Sequence, residues 1–196
     1  MVIGLFVYDT VTEKELTADQ YKLLKFYKLN TKRELSDFKL ASGNEAFTND
    51  NFKDQWNLIF MGFASCPDMG PMTMNQIAKT SDLLAAESPE LLKDITFTMV
   101  SVDPDRDTPT KIMNYAQAFN KDFVGVSGDV PEVVKLGYQL GVEKLAPVEN
   151  HMSQRIISHT NHLIVVNSEA EVIGIFKAPF ESSAMSLVIK SLLASQ

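Results

Sequence analysis

One cysteine and three histidines in 196 residues bound the chemistry open to this chain. A single thiol closes no internal disulfide, so cysteine usage leaves the redox compartment undecided. Positive charge is also scarce: 18 Lys+Arg stand against 25 Asp+Glu, a formal net charge of −7. No basic run stands out, which argues against nucleic acid as a partner. Long hydrophobic runs are missing too. Val2-Ile3-Gly4-Leu5-Phe6-Val7-Tyr8 is far too short to cross a bilayer, and with no basic segment ahead of it, it is not a complete signal peptide. It fits the outer end of a membrane anchor, or a strand or arm lying on the domain; the sequence leaves both open. Repeats and low-complexity tracts are absent. What remains is 45% hydrophobic and 22% charged, the composition of an ordinary globular domain. The length suits one core with a short appendage.

Turn and cap signals divide the chain. Thr17-Ala18-Asp19-Gln20 reads as a capping box opening a helix through about Leu29. The polar stretch 30–36 reads as a linker. Residues 38–40 and 45–47, separated by Ala41-Ser42-Gly43-Asn44, form a short hairpin. Strands follow at 57–62 and 95–102, with a helix at about 70–86 between them. Thr108-Pro109 is an N-cap followed by proline at the first helical position, and that helix should run to Phe119. A short strand at 123–126 and a helix at 131–140 come next. Strands at 162–166 and 172–176 flank the polar turn Asn167-Ser168-Glu169-Ala170, and a helix at 182–193 ends the pattern. Strand–helix–strand–helix followed by a hairpin and a last helix indicates an α/β sandwich whose first half is parallel. One domain over 31–196 is expected, with residues 1–30 as an extension.

The chemistry concentrates beyond the carboxyl ends of the two parallel strands, where open α/β sheets form their sites. The first segment is Phe63-Ala64-Ser65-Cys66-Pro67-Asp68-Met69-Gly70-Pro71, the layout of a strand turning tightly into a helix. A sulfur at a helix N-terminus meets free N–H groups that favour the thiolate, a nucleophile and soft-metal ligand. Pro67 suits the first helical turn because it supplies no N–H and presets φ. Most lone cysteines are small buried hydrophobes; the strand-to-helix position favours a functional thiol. The second segment is Asp103-Pro104-Asp105-Arg106-Asp107-Thr108-Pro109. It reads as a structural turn in which Arg106 pairs with a neighbouring carboxylate, since no carboxylate there has a partner suited to acid–base work. In a third segment, Ile156-Ile157-Ser158-His159-Thr160-Asn161-His162, the two histidines are three apart. On a strand they face opposite sides and do not easily join one site.

Together these segments resemble the Sco/SenC family, thioredoxin-fold copper-binding proteins involved in assembling the copper centre of respiratory oxidases. The residues carrying the resemblance are Gly62-Phe63-Ala64-Ser65-Cys66-Pro67-Asp68, then Ser101-Val102 followed by Asp103 through Pro109, then Gly128, then Ser158-His159-Thr160. Order and spacing agree over about 36–180. The resemblance implies a thioredoxin-like fold with an N-terminal hairpin, and copper as the metal. It also implies a periplasmic or other extracytoplasmic location with a membrane tether, and a respiratory oxidase subunit or another copper protein as partner. The family's site uses two cysteines in Cys-x-x-x-Cys-Pro and a distant histidine. Cys66 matches the first cysteine and His159 the histidine, with Pro67, Asp68, Asp103 and Arg106 as supporting motif residues.

Gly70 stands where the second cysteine belongs. One cysteine cannot run the family's dithiol–disulfide cycle, so no catalytic residue is assigned. A thiolate and an imidazole alone are an incomplete set for copper(I), and weak or altered binding is expected. Met69 lies one residue before the gap. Met72 and Met74 follow on the same helix, two apart and therefore on different faces, although such methionines are usually core filler. His151 and Met152, in the irregular stretch 143–155, are the other candidates to complete the set. Two rival readings stand beside this one. A degenerate thioredoxin-fold binding module would keep the fold without metal or redox activity. A thiol peroxidase of the peroxiredoxin type would need Pro-x-x-x-Thr/Ser-x-x-Cys, and here Ile59 and Phe63 occupy the proline and hydroxyl positions.

Overall fold

In this computed structural model the described residues are 15–142, 146–149, 155–158 and 161–194, the two short middle segments by backbone alone. In chain order the first elements are α1 (Ala18–Leu23), β1 (Phe26–Glu34), β2 (Lys39–Ser42), β3 (Glu45–Thr48) and β4 (Trp56–Gly62). They are followed by α2 (Met69–Glu87), α3 (Pro89–Leu92), β5 (Ile95–Ser101), α4 (Pro109–Gln117), β6 (Val124–Val126) and α5 (Val130–Gln139). The last are β7 (Ala146–Glu149), β8 (Arg155–Ser158), β9 (His162–Val166), β10 (Glu171–Lys177) and α6 (Ser182–Leu193).

Six strands make one sheet in the order β1-β10-β9-β4-β5-β6. β4, β5 and β6 run parallel, while β9, β10 and β1 are antiparallel to their neighbours. The expected parallel first half and late hairpin are therefore present, and the architecture is thioredoxin-like α/β. Alternation along each strand feeds two cores. Leu58 and Phe60 of β4 pack with Phe97 and Met99 of β5 under α2, α4 and α6, through residues such as Ile77, Ile112 and Val188. Ile59 and Met61 face the other way, with Val100, Val126, α5 and the β2–β3 hairpin, whose Phe47 joins Phe38 and Phe52 in an aromatic cluster. The hairpin is pinned to the strand end of β6 by paired bonds between Ala41 and Ser127, at 2.8 and 2.9 Å. β6 in turn lies so close to α4 that a Cβ on Gly125 would come within 2.2 Å of the Ile112 carbonyl oxygen.

Four local expectations are corrected. The Thr17 capping box forms, with the hydroxyl accepting from the Gln20 amide, but the helix stops at Leu23 and does not reach Leu29. Lys25 adopts φ 62°, a left-handed conformation that ends a right-handed helix. The stretch 30–36 is no linker: through Glu34 it belongs to β1, with Arg33 opposite Val172 and Glu34 opposite Glu171. β1 thus crosses the expected boundary between residues 30 and 31. The stretch 143–155 is not wholly irregular either, since β7 pairs with β8, Ala146 opposite Ser158. The fourth helix also ends slightly early, at Gln117 rather than Phe119. Among the described residues, no helix is long and apolar enough to cross a membrane.

Candidate functional site

β4 delivers its last residue, Gly62, to the carboxyl edge of the sheet, and the chain turns there. The Cys66 N–H donates to the Phe63 carbonyl at 3.2 Å, closing the turn. Cys66 is half-buried and packs against the hairpin-side core. Its Sγ accepts the Gly70 N–H at 3.3 Å, one of the donors that the first turn of a helix leaves without an intrahelical partner. The thiol therefore faces the helix terminus as its position implies, although α2 starts only at Met69, with Asp68 as an N-cap whose side chain makes no capping bond. Pro67 accordingly precedes the helix. The proline inside the first turn is Pro71, placed where no N–H is needed. Ser65, Pro67 and Asp68 are all exposed.

Gly70 itself is buried against the cysteine. A Cβ at this position would lie 3.0 Å from Cys66 Cβ and 3.5 Å from its Sγ. A side chain at 70 would therefore start directly beside the sulfur, in the place a disulfide or shared-metal partner would occupy, once the turn relaxed by a few tenths of an ångström. The three methionines separate clearly. Met69 is 46% and Met72 65% exposed, both on the first turn of α2, whereas Met74 is 2% exposed in the core.

The second segment folds as a polar bracket. Arg106 N–H and Asp107 N–H both donate to the Asp103 carbonyl, at 3.0 and 2.9 Å, and the Arg106 guanidinium pairs with the Asp103 carboxylate. Asp107 is fully buried. Its Oδ2 accepts the Ala64 N–H at 2.8 Å and the Ser101 hydroxyl at 3.0 Å, and its Oδ1 accepts Lys111 Nζ at 2.8 Å. Its backbone carbonyl takes the Ser127 hydroxyl at 2.6 Å. The Thr108 side chain caps α4 by accepting from the Lys111 amide.

Two participants were not legible in the sequence. The Tyr115 hydroxyl is buried with no hydrogen-bond partner among the described residues. Burial first, then the charges of Cys66 and Asp107, push its phenol above the ordinary value. Its only sequence signal is the Tyr115–Phe119 spacing, an edge-on aromatic pair that reads as packing. The Thr73 hydroxyl of α2, one turn beyond Gly70, donates to Asn161 Oδ1 at 3.2 Å and joins the helix to the segment leading into β9. His162, at the start of β9, sits opposite Lys177; burial, then the Lys177 charge, lowers its pKa. His151, Met152 and His159 lie outside the described residues. Among the described residues, no three His, Cys, Asp or Glu side chains converge to hold a metal.

A Stutzerimonas stutzeri protein, named as copper-binding, is 25% identical over 169 residues, 86% of this chain and 81% of that one. The human mitochondrial protein SCO1 homolog is 29% identical over 132 residues, and the match spans 67% of this chain but only 43% of that protein. The fold is shared with the crystal structure of copper-bound ScoI from Arabidopsis thaliana, at a TM-score of 0.73 and 21% identity over 81% of this chain and 97% of that one. It is shared as well with apo Sco1 from Thermus thermophilus, at a TM-score of 0.72 and 24% identity over 85% of this chain and 94% of that one. Residues 28–194, from within β1 to the end of α6, match the SCO1/SenC family, and the chain is a member of that family.

Proposed function

We propose that this chain binds copper(I) as cargo through Cys66 and His159 and works in copper delivery to a respiratory oxidase or another copper protein, with a site one thiolate short. The observation that carries this reading is the Cys66 turn: a half-buried sulfur held on the Gly70 amide, with the place of a second ligand directly beside it. The donor set fits the ion, because thiolate and thioether sulfur suit soft copper(I) and imidazole is a common copper ligand. Chain connectivity supports His159 as the distant ligand. It lies two residues before Asn161, within about 7 Å along even an extended chain, and Asn161 is bonded to Thr73 of the same helix that carries Gly70. Met69, exposed and adjacent to the gap, is the first candidate for a third ligand, ahead of His151 and Met152. An extracytoplasmic location with a membrane tether belongs to the same proposal and rests on the family.

The test is an anaerobic titration of the reduced protein with copper(I) against a competing chelator, repeated with Cys66→Ser, His159→Ala and Met69→Leu. The reading expects one bound ion, lost with Cys66→Ser and weakened by His159→Ala. A protein that binds no copper(I), or binds it equally well without Cys66, would instead be a thioredoxin-fold binding module without metal chemistry.

A further inference from the structure

We propose that Asp107 is the positioning residue of the Cys66 turn, holding the thiol-bearing loop to the end of β5 through the Ala64 amide. This deepens the copper reading and rests on it only for the metal readout. Ala64 lies inside the turn closed by Phe63 and Cys66, and its N–H is directed to the Asp107 carboxylate at 2.8 Å. That carboxylate is itself anchored on several sides. It is fully buried, takes the Ser101 hydroxyl on the same oxygen and Lys111 on the other, and its backbone is tied to Ser127. An ionised carboxylate with several donors is a strong and directional acceptor, so the loop is referenced to three elements at once: β5, α4 and the end of β6. On its own side, Cys66 bonds to the backbone of its turn and helix, at Phe63 and Gly70. The bond from Ala64 ties that turn to the buried Asp107 carboxylate, just beyond the bond from the Val102 N–H to the Gly62 carbonyl. Groups that orient ligands without touching the metal matter to affinity for this reason.

The experiment compares Asp107→Ala, Asp107→Asn and Ser127→Ala in the full chain. An asparagine carbonyl can replace Oδ2 and keep both Ala64 and Ser101 while half-exposed Lys111 swings away. Ser127→Ala removes a bond to the same residue without touching Ala64. The proposal expects Asp107→Ala to speed Ala64 amide exchange and to weaken copper(I) binding by roughly tenfold or more, with a changed alkylation rate at Cys66. Asp107→Asn should stay near the native protein in all three readouts, and Ser127→Ala should lower thermal stability only. If Asp107→Ala does not fold, Asp107→Ser, whose hydroxyl is too short to reach Ala64, carries the same expectation. Equal changes in Asp107→Ala and Ser127→Ala at matched stability would overturn the proposal, as would unchanged exchange and alkylation in Asp107→Ala. If the native chain binds no copper(I), the copper reading fails alone, because exchange and alkylation still decide the role of Asp107.

Discussion

Two neighbouring loops leave adjacent parallel strands at the same edge of the sheet, and they are built oppositely. The loop after β4 carries the sulfur, leaves Ser65, Pro67 and Asp68 exposed, and holds itself together with few bonds. The loop after β5 buries two carboxylates and uses them on Arg106 and Lys111, and on its neighbour's Ala64 amide. One loop carries the sulfur; the other directs a buried carboxylate onto the first loop's backbone. The difference shows that motif residues as polar as Asp103 and Asp107 find their partners inside the protein.

The largest effect expected from breaking this division is on the bracket. Asp107→Ala strands the Ala64 amide and the Ser101 hydroxyl, and should cost about 3 kcal/mol of folding stability at typical values for buried unpaired donors; urea denaturation measures it. A loss under about 1 kcal/mol would mean that water replaces the carboxylate at little cost.

Gly70→Cys sharpens the comparison from the other loop. The new thiolate starts beside Cys66, and copper(I) affinity should rise on the order of a hundredfold, as expected for adding a charged ligand to a site. A reversible disulfide should also form, with the turn opening because the 3.0 Å Cβ separation is below the usual span of about 3.5–4.5 Å. Adding Cys66→Ser should abolish both gains. Unchanged affinity in Gly70→Cys would show that the scaffold is no longer arranged around a metal.

A smaller loss is expected from Thr73→Val, which cuts the bond from α2 to Asn161 and should cost about 1 kcal/mol. If the segment before β9 brings His159 to the thiol, this variant should also weaken copper(I) binding a few-fold, read in the same chelator competition. Loss of stability without loss of affinity would separate that segment from the site.

The smallest effect lies at the start of β9. Burial and Lys177 hold the His162 pKa below its unfolded value near 6.5, so below that pH the unfolded chain binds more protons than the folded one. The stability contributed by neutral His162 is present above about pH 6.5 and is lost as pH falls through the lower folded value. His162→Gln should flatten that acid limb in stability measured from pH 7 to 5, and an unchanged limb would assign the acid loss to other groups.

Much of this was legible locally. The apolar run of β4, the pattern of β5 and the Thr108-Pro109 cap of α4 each carry their own signal, and Cys66 before a helix start is readable from a dozen residues. β1 was not readable in that way. Apart from Phe26 it is exposed, and beyond Leu29 wholly polar, with no alternation to mark a face, and it is a strand because β10, far along the chain, offers it an edge. The left-handed Lys25 that separates it from α1 carries no glycine or asparagine to announce it. Asp107 was visible as a motif residue, but its contact with Ala64 spans 43 residues, and no spacing rule relates them.

The sequence by itself determined which atoms are available: one thiol, a glycine where a second would stand, and buried-strand patterns strong enough to place that thiol at a sheet edge. Those are properties of residue type and short-range periodicity. Only the tertiary structure decided what surrounds the sulfur. The Asp107 carboxylate on the Ala64 amide and Asn161 on Thr73 of its helix are brought there by packing elements far apart in the chain around one sheet, and long-range burial leaves no mark in the local order of residues.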